Sequence, residues 1–285
     1  MPNSDPVQPL AVPADEAQKR RALPYIAYED QQKITRLCVR CGLLLMQHGA
    51  ESAVVVDLCR RLGHALGVGS VECGLVFNSI TVTTIYSNRC ITTLRASTSQ
   101  NINLHVVVQI QRIVLDLEAM PRTSTLEHAV ERFDAIDRET YPTWVVAPMV
   151  GVACACFAYL AGGDLGVVAV TWVAGTCGLT VRKWLTQHHF NTFVAALITA
   201  FIASILGSIA LATHTGNDPH IAIASSVLLL LPSFPLINSF SDMLKGYMAM
   251  GVGRLAFVLV MTLSTCIGIL CALLLLRIDQ WGIPT

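Results

Sequence analysis

Three polar side chains interrupt an apolar stretch of the sequence near residue 240. Asn238 and Asp242 are four residues apart, and Lys245 lies one helical step further along. Because residues at this spacing share one face of a helix, the sequence predicts a polar face within an apolar element. An ionisable group at membrane depth is costly unless it is paired or protonated. Asp242 is therefore a candidate for proton binding, and Asn238 is a candidate hydrogen-bond donor to a ligand.

Two prolines, Pro232 and Pro235, lie immediately before this polar face. Each proline removes a backbone donor and disfavours helical geometry in the preceding residue, so we expect the helix to break here. Backbone groups freed inside a membrane must be buried in protein or line a wet cavity. Broken helices of this kind build the substrate sites of many secondary transporters. Ser233, between the prolines, belongs to the same candidate site.

A second interpretation of these residues stays open. In it, the prolines only bend a packed helix, and Asp242 and Lys245 neutralise each other at the inner membrane surface. Residue types and spacing alone do not separate this interpretation from the first.

Other motifs carry less chemistry. Cys38 and Cys41 form a C-x-x-C pair, but both fall on the buried face of a predicted helix, so core packing is favoured over a metal or redox site. The sequence contains no G-x-S-x-G, H-E-x-x-H or phosphate-binding loop. We therefore predict no enzymatic activity, no catalytic residues, no metal and no cofactor.

The composition indicates what surrounds the candidate site. Of the 285 residues, 53% are hydrophobic and 13% are charged, and the mean hydropathy is +0.57, whereas about a quarter of the residues in soluble domains are charged. Residues 1–141 contain 14 Lys/Arg and 15 Asp/Glu, but residues 142–285 contain only 5 and 4. The two parts therefore face different solvents. A net charge of zero without a basic run argues against nucleic-acid binding.

The charged part predicts a tail and a small domain. Residues 1–29 are expected to form a disordered tail, and residues 30–141 an α+β domain. Hydrophobic periodicity and turn residues predict two helices, a three-stranded antiparallel meander and two further helices, over residues 31–48, 51–66, 71–78, 80–86, 90–95, 102–119 and 126–138. Glu51 begins the second helix, where a negative charge is favourable on electrostatic grounds alone; a role in gating or assembly is the alternative, and Arg254 is assigned the same role.

Residues 142–285 predict a membrane domain. Five apolar runs, at about 143–161, 165–182, 191–213, 220–240 and 253–277, reach or nearly reach the length that spans a bilayer. Lys and Arg occur in the loops after the second and fourth runs but not in those after the first and third. By the positive-inside rule, the N-terminus is cytoplasmic and the C-terminus periplasmic. The predicted fold is an α-helical polytopic membrane protein with five transmembrane helices, the fourth broken by prolines, and an N-terminal cytoplasmic α+β domain.

These motifs together resemble a known family. The helical pair joined by LLMQHGAES at residues 44–52, the meander, the run LPSFPLIN at residues 231–238, and then Asp242 and Gly246 are similar to the threonine/serine exporter (ThrE) family. The similarity is greatest to its split, YjjP-type branch, and covers residues 31–278. It implies a secondary exporter subunit in the bacterial inner membrane that works with a small integral-membrane partner subunit of the same family.

The resemblance also implies a substrate. The split branch is associated with export of C4-dicarboxylates, chiefly succinate, and the fused relatives with threonine and serine, which is the alternative substrate class. We expect alternating access with proton coupling through Asp242. Positive charge for a dianion would come from Lys245, Arg254, Arg182 and Lys183, from helix ends and from the partner. A membrane-anchored sensor or enzyme domain and a passive channel are the remaining alternatives.

Overall fold

The computed structural model describes residues 26–97, 102–119, 126–137, 141–213, 216, 218, 220–228, 230 and 232–276. These residues form two compact units. The N-terminal unit contains the described residues up to 137 and also the segment Lys245–Met250, here called the linking segment. The helical unit contains residues 141–244 and 251–276 as far as they are described. Most of the predicted disordered tail lies outside the described residues.

The N-terminal unit begins with two amphipathic helices. Helix α1 is Tyr28–Gln47 and α2 is Ser52–Ala65. The turn between them requires Gly49, whose φ is +90°, because this left-handed conformation costs glycine little. Ile26, the first described residue, lies in the core of this unit.

A three-stranded antiparallel sheet follows, in the order β1-β2-β3. The strands are β1 (Ser70–Val76), β2 (Ser79–Tyr86) and β3 (Arg89–Ala96), and they are followed by helices α3 (Leu104–Ala119) and α4 (Leu126–Asp134). The tight turn from β2 to β3 passes through Ser87 and Asn88, both with positive φ. The predicted meander and both helices are therefore present, with ends shifted by a few residues.

The largely apolar core of the N-terminal unit contains a polar connection between α1 and the sheet. Gln31 Nε2 donates to the carbonyl oxygens of Thr84 and Arg89, at 3.2 and 3.3 Å. The hydroxyls of Thr35 and Thr84 are 2.6 Å apart. Because these groups are buried, their mutual hydrogen bonds offset the cost of removing them from water and keep α1 in register with β2.

The helical unit contains long apolar helices. They are α5 (Thr143–Leu160), α6 (Leu165–Gln187), α7 (Thr192–Gly207), the short α8 (Ile209–Ala212), α9 (His220–Leu228), α10 (Ser233–Leu244) and α11 (Met248–Leu276). Side chains cap two of them: Asp164 Oδ1 accepts from the Val167 amide, and Asn191 Oδ1 accepts from the Phe193 amide. Such caps satisfy amides that have no partner within the helix.

Four stretches of helix in the described residues are long and apolar enough to cross a membrane: α5, α6, α7 with α8, and α11. The pair α9 and α10 passes the same test jointly but is bent by 56° between Leu228 and Ser233. The chain is thus a polytopic helical membrane protein with four candidate spans, or five if the bent pair is one span. Helix α6 continues to Gln187, so Arg182 and Lys183, expected in a loop, lie in its last turns.

Small residues let the helices of this unit approach closely. A methyl group on Gly268 of α11 would overlap the Leu197 carbonyl oxygen of α7 and lie 3.1 Å from the Phe201 amide nitrogen. A methyl group on Gly178 of α6 would lie 3.3 Å from the Ala203 side chain, which is a milder contact. Since apolar helices gain little from burial within lipid, such close packing contributes much of their association.

We predict that Gly268→Ala destabilises the protein because the added methyl meets backbone that cannot turn aside. The expected loss is about 1–3 kcal/mol, the usual cost of overpacking. Thermal unfolding of the detergent-purified chain, followed by size-exclusion of the heated sample, measures it. Gly178→Ala is the matched control and should lower the unfolding temperature less; equal effects of the two substitutions would contradict this account.

Candidate functional site

The buried acidic residue of α10 has a basic partner on α11. Arg254 Nη1 donates to Asp242 Oδ2 at 2.7 Å, and the two side chains are 5% and 0% exposed. Among the residues that the structure describes, the side chains of all other ion pairs are at least 22% exposed. This pair is therefore distinct in having both charges removed from solvent.

The pairing follows from a helical hairpin. Helix α10 ends at Leu244, and α11 begins at Met248, after Gly246 has taken the left-handed conformation with φ +88°. Gly251 then brings the helices together: a methyl there would lie 2.9 Å from the Ser239 carbonyl oxygen and 3.1 Å from the Met243 nitrogen. Asp242 and Arg254 are consequently brought to opposite sides of the same close contact.

Electrostatics makes this pair costly to break. Removing two charges from water is expensive, and losing one partner leaves the other uncompensated, which costs about 3–5 kcal/mol. An ionised pair inside a largely apolar helical unit is also a strong indicator of function, because packing alone is served better by apolar residues. The arrangement places a buried guanidinium against a carboxylate, a geometry that can also bind the carboxylate of a ligand.

Lys245 does not share the helix face that the sequence predicted. Because α10 ends at Leu244, Lys245 lies outside the helix, and its Nζ is 2.5 Å from Glu51 Oε1 within the N-terminal unit. The alternative interpretation paired Asp242 with Lys245. In the structure, Asp242 is paired with Arg254 instead. Glu51 is also the N-cap residue of α2, but its side chain makes no capping hydrogen bond.

The remaining predicted residues follow α10 from its beginning. Ser233 is the exposed first residue of α10, and Asn238 is half-buried in its middle. Pro235 lies in the first turn, where a missing amide removes no helical hydrogen bond, and the Leu236 amide donates to the Pro232 carbonyl at 3.2 Å. The bend thus falls between Leu228 and Ser233, a stretch that contains Pro232 but not Pro235.

Ser239 was missed by the sequence analysis. It is fully buried, and its hydroxyl has no hydrogen-bond partner in the structure. It lies three residues before Asp242, a spacing that places both on one side of a helix. That spacing was visible in the sequence, but a serine in an apolar helix is ordinarily explained by packing.

The cysteines of the C-x-x-C motif lie in the core of the N-terminal unit. Cys38 and Cys41 are fully buried, and burial raises the pKa of the Cys38 thiol well above its ordinary value. Such a thiol is a poor nucleophile, because the thiolate is the reactive form. Within the described part of the chain, no group of three or more His, Cys, Asp or Glu is arranged to hold a metal ion.

Sequence comparison gives the family. Residues 36–276 match the ThrE family model, described as "Putative threonine/serine exporter". The chain belongs to the ThrE family. It is 42% identical to the "Probable succinate transporter subunit YjjP" of Escherichia coli strain K12 over 254 residues, which are 89% of this chain and 98% of the relative.

Two further relatives show the range of ThrE family members. The protein of the same name from Klebsiella aerogenes is 40% identical over 89% of this chain and 98% of its own length. The "Probable threonine/serine exporter" of Mycobacterium tuberculosis is 24% identical over 85% of this chain but only 46% of its own length. No solved structure matches the chain significantly. The ThrE family is a family of transporters.

The energetic importance of the ion pair leads to a stability prediction. We expect Asp242→Leu and Arg254→Met each to lower the stability by about 3–5 kcal/mol, because each removes the counter-charge that lies 2.7 Å from the remaining buried charge. The double variant should regain most of that loss, since its apolar side chains need no counter-charge. Thermal unfolding of the purified chain measures the stability of all three variants. A loss of stability in the double variant equal to the sum of the two single losses would contradict a direct pairing.

Proposed function

We propose that the chain is one subunit of a secondary transporter that exports a small carboxylate, chiefly succinate or another C4-dicarboxylate, across the bacterial inner membrane. The observation that carries this proposal is the buried ion pair between Asp242 and Arg254. Asp242 belongs to α10, which forms the bent pair with α9. The printed names of the Escherichia coli and Klebsiella relatives support the substrate class.

In the proposed mechanism, the substrate and Asp242 compete for Arg254. A guanidinium binds carboxylates through two parallel hydrogen bonds, so a substrate carboxylate can replace that of Asp242. In this cycle Asp242, displaced from Arg254, binds a proton from the cytoplasmic side. Release of the substrate on the periplasmic side restores the ion pair, and Asp242 releases its proton to that same side. Each exported carboxylate is thereby coupled to a proton.

Other groups on α10 are assigned to the rest of the substrate. The Ser239 hydroxyl is buried and has no hydrogen-bond partner among the residues that the structure describes, so a bound substrate would supply one. Asn238 and Ser233 lie along the same helix and are proposed as further donors. The second carboxylate of a dianion also requires donors from the first turn of α10, from Arg182 or Lys183, and from the partner subunit.

We further propose five spans, with the bent pair α9 and α10 crossing the membrane once. The linking segment belongs to the N-terminal unit, so residue 245 lies on the same side of the membrane as residue 141. An even number of crossings must therefore separate them, and α5, α6 and α7 with α8 provide three. The bent pair supplies the fourth crossing, whereas a re-entrant loop would leave the number odd.

This count predicts the location of each end. With the N-terminal unit in the cytoplasm, as the positive-inside rule favours, the end of α11 is periplasmic. Alkaline phosphatase fused after Leu276 should be active and green fluorescent protein fused there should be dark. Fusions after Phe190, expected in the cytoplasm, and after Thr213, expected outside, serve as controls. A fluorescent fusion after Leu276 would instead support a re-entrant pair.

The proposed partner is a small integral-membrane subunit of the same family. The relatives are named as transporter subunits, and the chain covers only 46% of the Mycobacterium tuberculosis relative. The remaining half of such a fused protein would correspond to a separate chain here. Many secondary transporters place their substrate site between two such halves.

Threonine or serine export is the second candidate function. It is favoured by the family description and by the name of the Mycobacterium tuberculosis relative. An amino acid also presents one carboxylate to Arg254, but its ammonium group would need an acidic partner, and Asp242 is the nearest candidate. An anchored sensor or enzyme and a passive channel predict no dependence of transport on Asp242 protonation.

The proposal predicts partner-dependent succinate efflux. Cells lacking their own succinate exporters, preloaded with succinate, should export it when they express this chain with its small partner. Asp242→Asn should lower the initial rate at least tenfold and remove its dependence on the pH gradient, because the site can no longer bind and release a proton.

Thr180→Val is the matched control. The Thr180 hydroxyl is exposed and bonds only to Thr176 of its own helix among the contacts seen, so efflux should be unchanged. Serine and threonine efflux are measured in parallel. Amino-acid efflux without succinate efflux would favour the second candidate, and full activity of Asp242→Asn would overturn the proposed coupling.

A further inference from the structure

The linking segment consists of three residues between α10 and α11 and the first three residues of α11, and all six belong to the N-terminal unit. Met250 is 1% exposed and belongs to the same hydrophobic core as α1, α2 and the sheet. Tyr247 packs against that core as well. A turn that only reversed the chain direction would not require the helix after it to begin with a buried anchor.

An ion pair holds the other end of the segment. Lys245 Nζ is 2.5 Å from Glu51 Oε1, and Glu51 is 22% exposed. Glu51 lies at the turn between α1 and α2, whose two helices form much of the core. The segment is therefore fixed at its first residue by charge and at its last residue by burial.

Both members of the buried pair are covalently close to these anchors. Asp242 precedes Lys245 by three residues, and Arg254 follows Met250 by four. Gly251 keeps α10 and α11 in close contact, so a shift or rotation of one helix against the other would separate Asp242 from Arg254. Such a motion would be accommodated by the three residues of the linking segment that lie outside the helices.

The geometry points to a control function: the N-terminal unit sets the opening of the Asp242–Arg254 pair through the linking segment, with Glu51 and Lys245 as positioning residues. Release of the Glu51–Lys245 contact frees the start of the segment and lets α10 move against α11. Gly246 supplies the pivot, since its left-handed φ of +88° is accompanied by open space around it. This inference rests on the proposed function only in assigning a transport role to the motion.

Hydrogen–deuterium exchange of the purified full-length chain tests the inference without a substrate. Glu51→Gln and Lys245→Gln keep the side-chain size but remove the ion pair. Each should increase amide exchange about fivefold in peptides covering residues 236–256. The double variant should match the single variants, because both substitutions remove the same contact.

Asp134→Asn is the matched control. It removes the Arg40–Asp134 ion pair of the N-terminal unit, which joins two exposed side chains at 2.5 Å, and should leave exchange in residues 236–256 unchanged. Unchanged exchange in both single variants, additive effects in the double variant, or an equal effect of Asp134→Asn would overturn the inference.

Efflux measurements then separate this inference from the proposed function. If the wild-type chain exports succinate, Glu51→Gln should change the maximal rate more than the half-saturating concentration, because the binding groups themselves are intact. Altered exchange with unchanged efflux would overturn the control role while leaving the exporter proposal in place. Altered exchange together with no wild-type efflux would contradict the exporter proposal and leave the mechanical link supported.

Discussion

The arrangement of the last two helices depends on one constraint, which is that Asp242 and Arg254 are buried and must remain partnered. A charge removed from water needs a compensating charge close by, so the helices that carry these residues must stay in close contact. Gly246 and Gly251 make that contact sterically feasible. The same requirement opposes separation of the two helices.

The two units use different physical means to hold their helices. In the N-terminal unit, the hydrophobic effect stabilises a large apolar core. A few hydrogen bonds, such as those of Gln31, fix the position of α1 relative to the sheet. In the helical unit, that driving force is absent between helices in lipid, and glycine contacts such as those at Gly175 and Gly268 take over. A charge pair in the second environment is therefore far more consequential than the exposed pairs of the first.

Much of the fold was predictable because the relevant signals are local. The periodicity of α1 and α2, the β-branched strands and Gly49 all act within a few residues, and the structure has these elements at nearly the expected positions. The apolar runs indicated the long helices for the same reason. Arg182 and Lys183 were assigned to a loop because charged residues often mark the end of an apolar helix. Their long side chains can nevertheless extend from the last turns of a helix, so that the charged ends stay in water.

The partner of Asp242 could not be predicted in the same way. Helical spacing pointed to Lys245, but the helix ends one residue earlier, and the pairing with Arg254 depends on a turn whose geometry is set by Gly246. Lys245 forms an ion pair with Glu51, which is nearly two hundred residues away in the sequence. Contacts of that range are fixed by tertiary packing, which no local pattern encodes.

The burial of Met250 in the core of the N-terminal unit has a consequence for biosynthesis. Residues 26–137 leave the ribosome long before Met250 is made, so this core is first assembled with a gap where the methionine will lie. Such a gap costs stability in proportion to its volume. The nascent unit therefore gains its last core contact only after helices α5 to α10 have been synthesised, which makes completion of this core a late event in the synthesis of the chain.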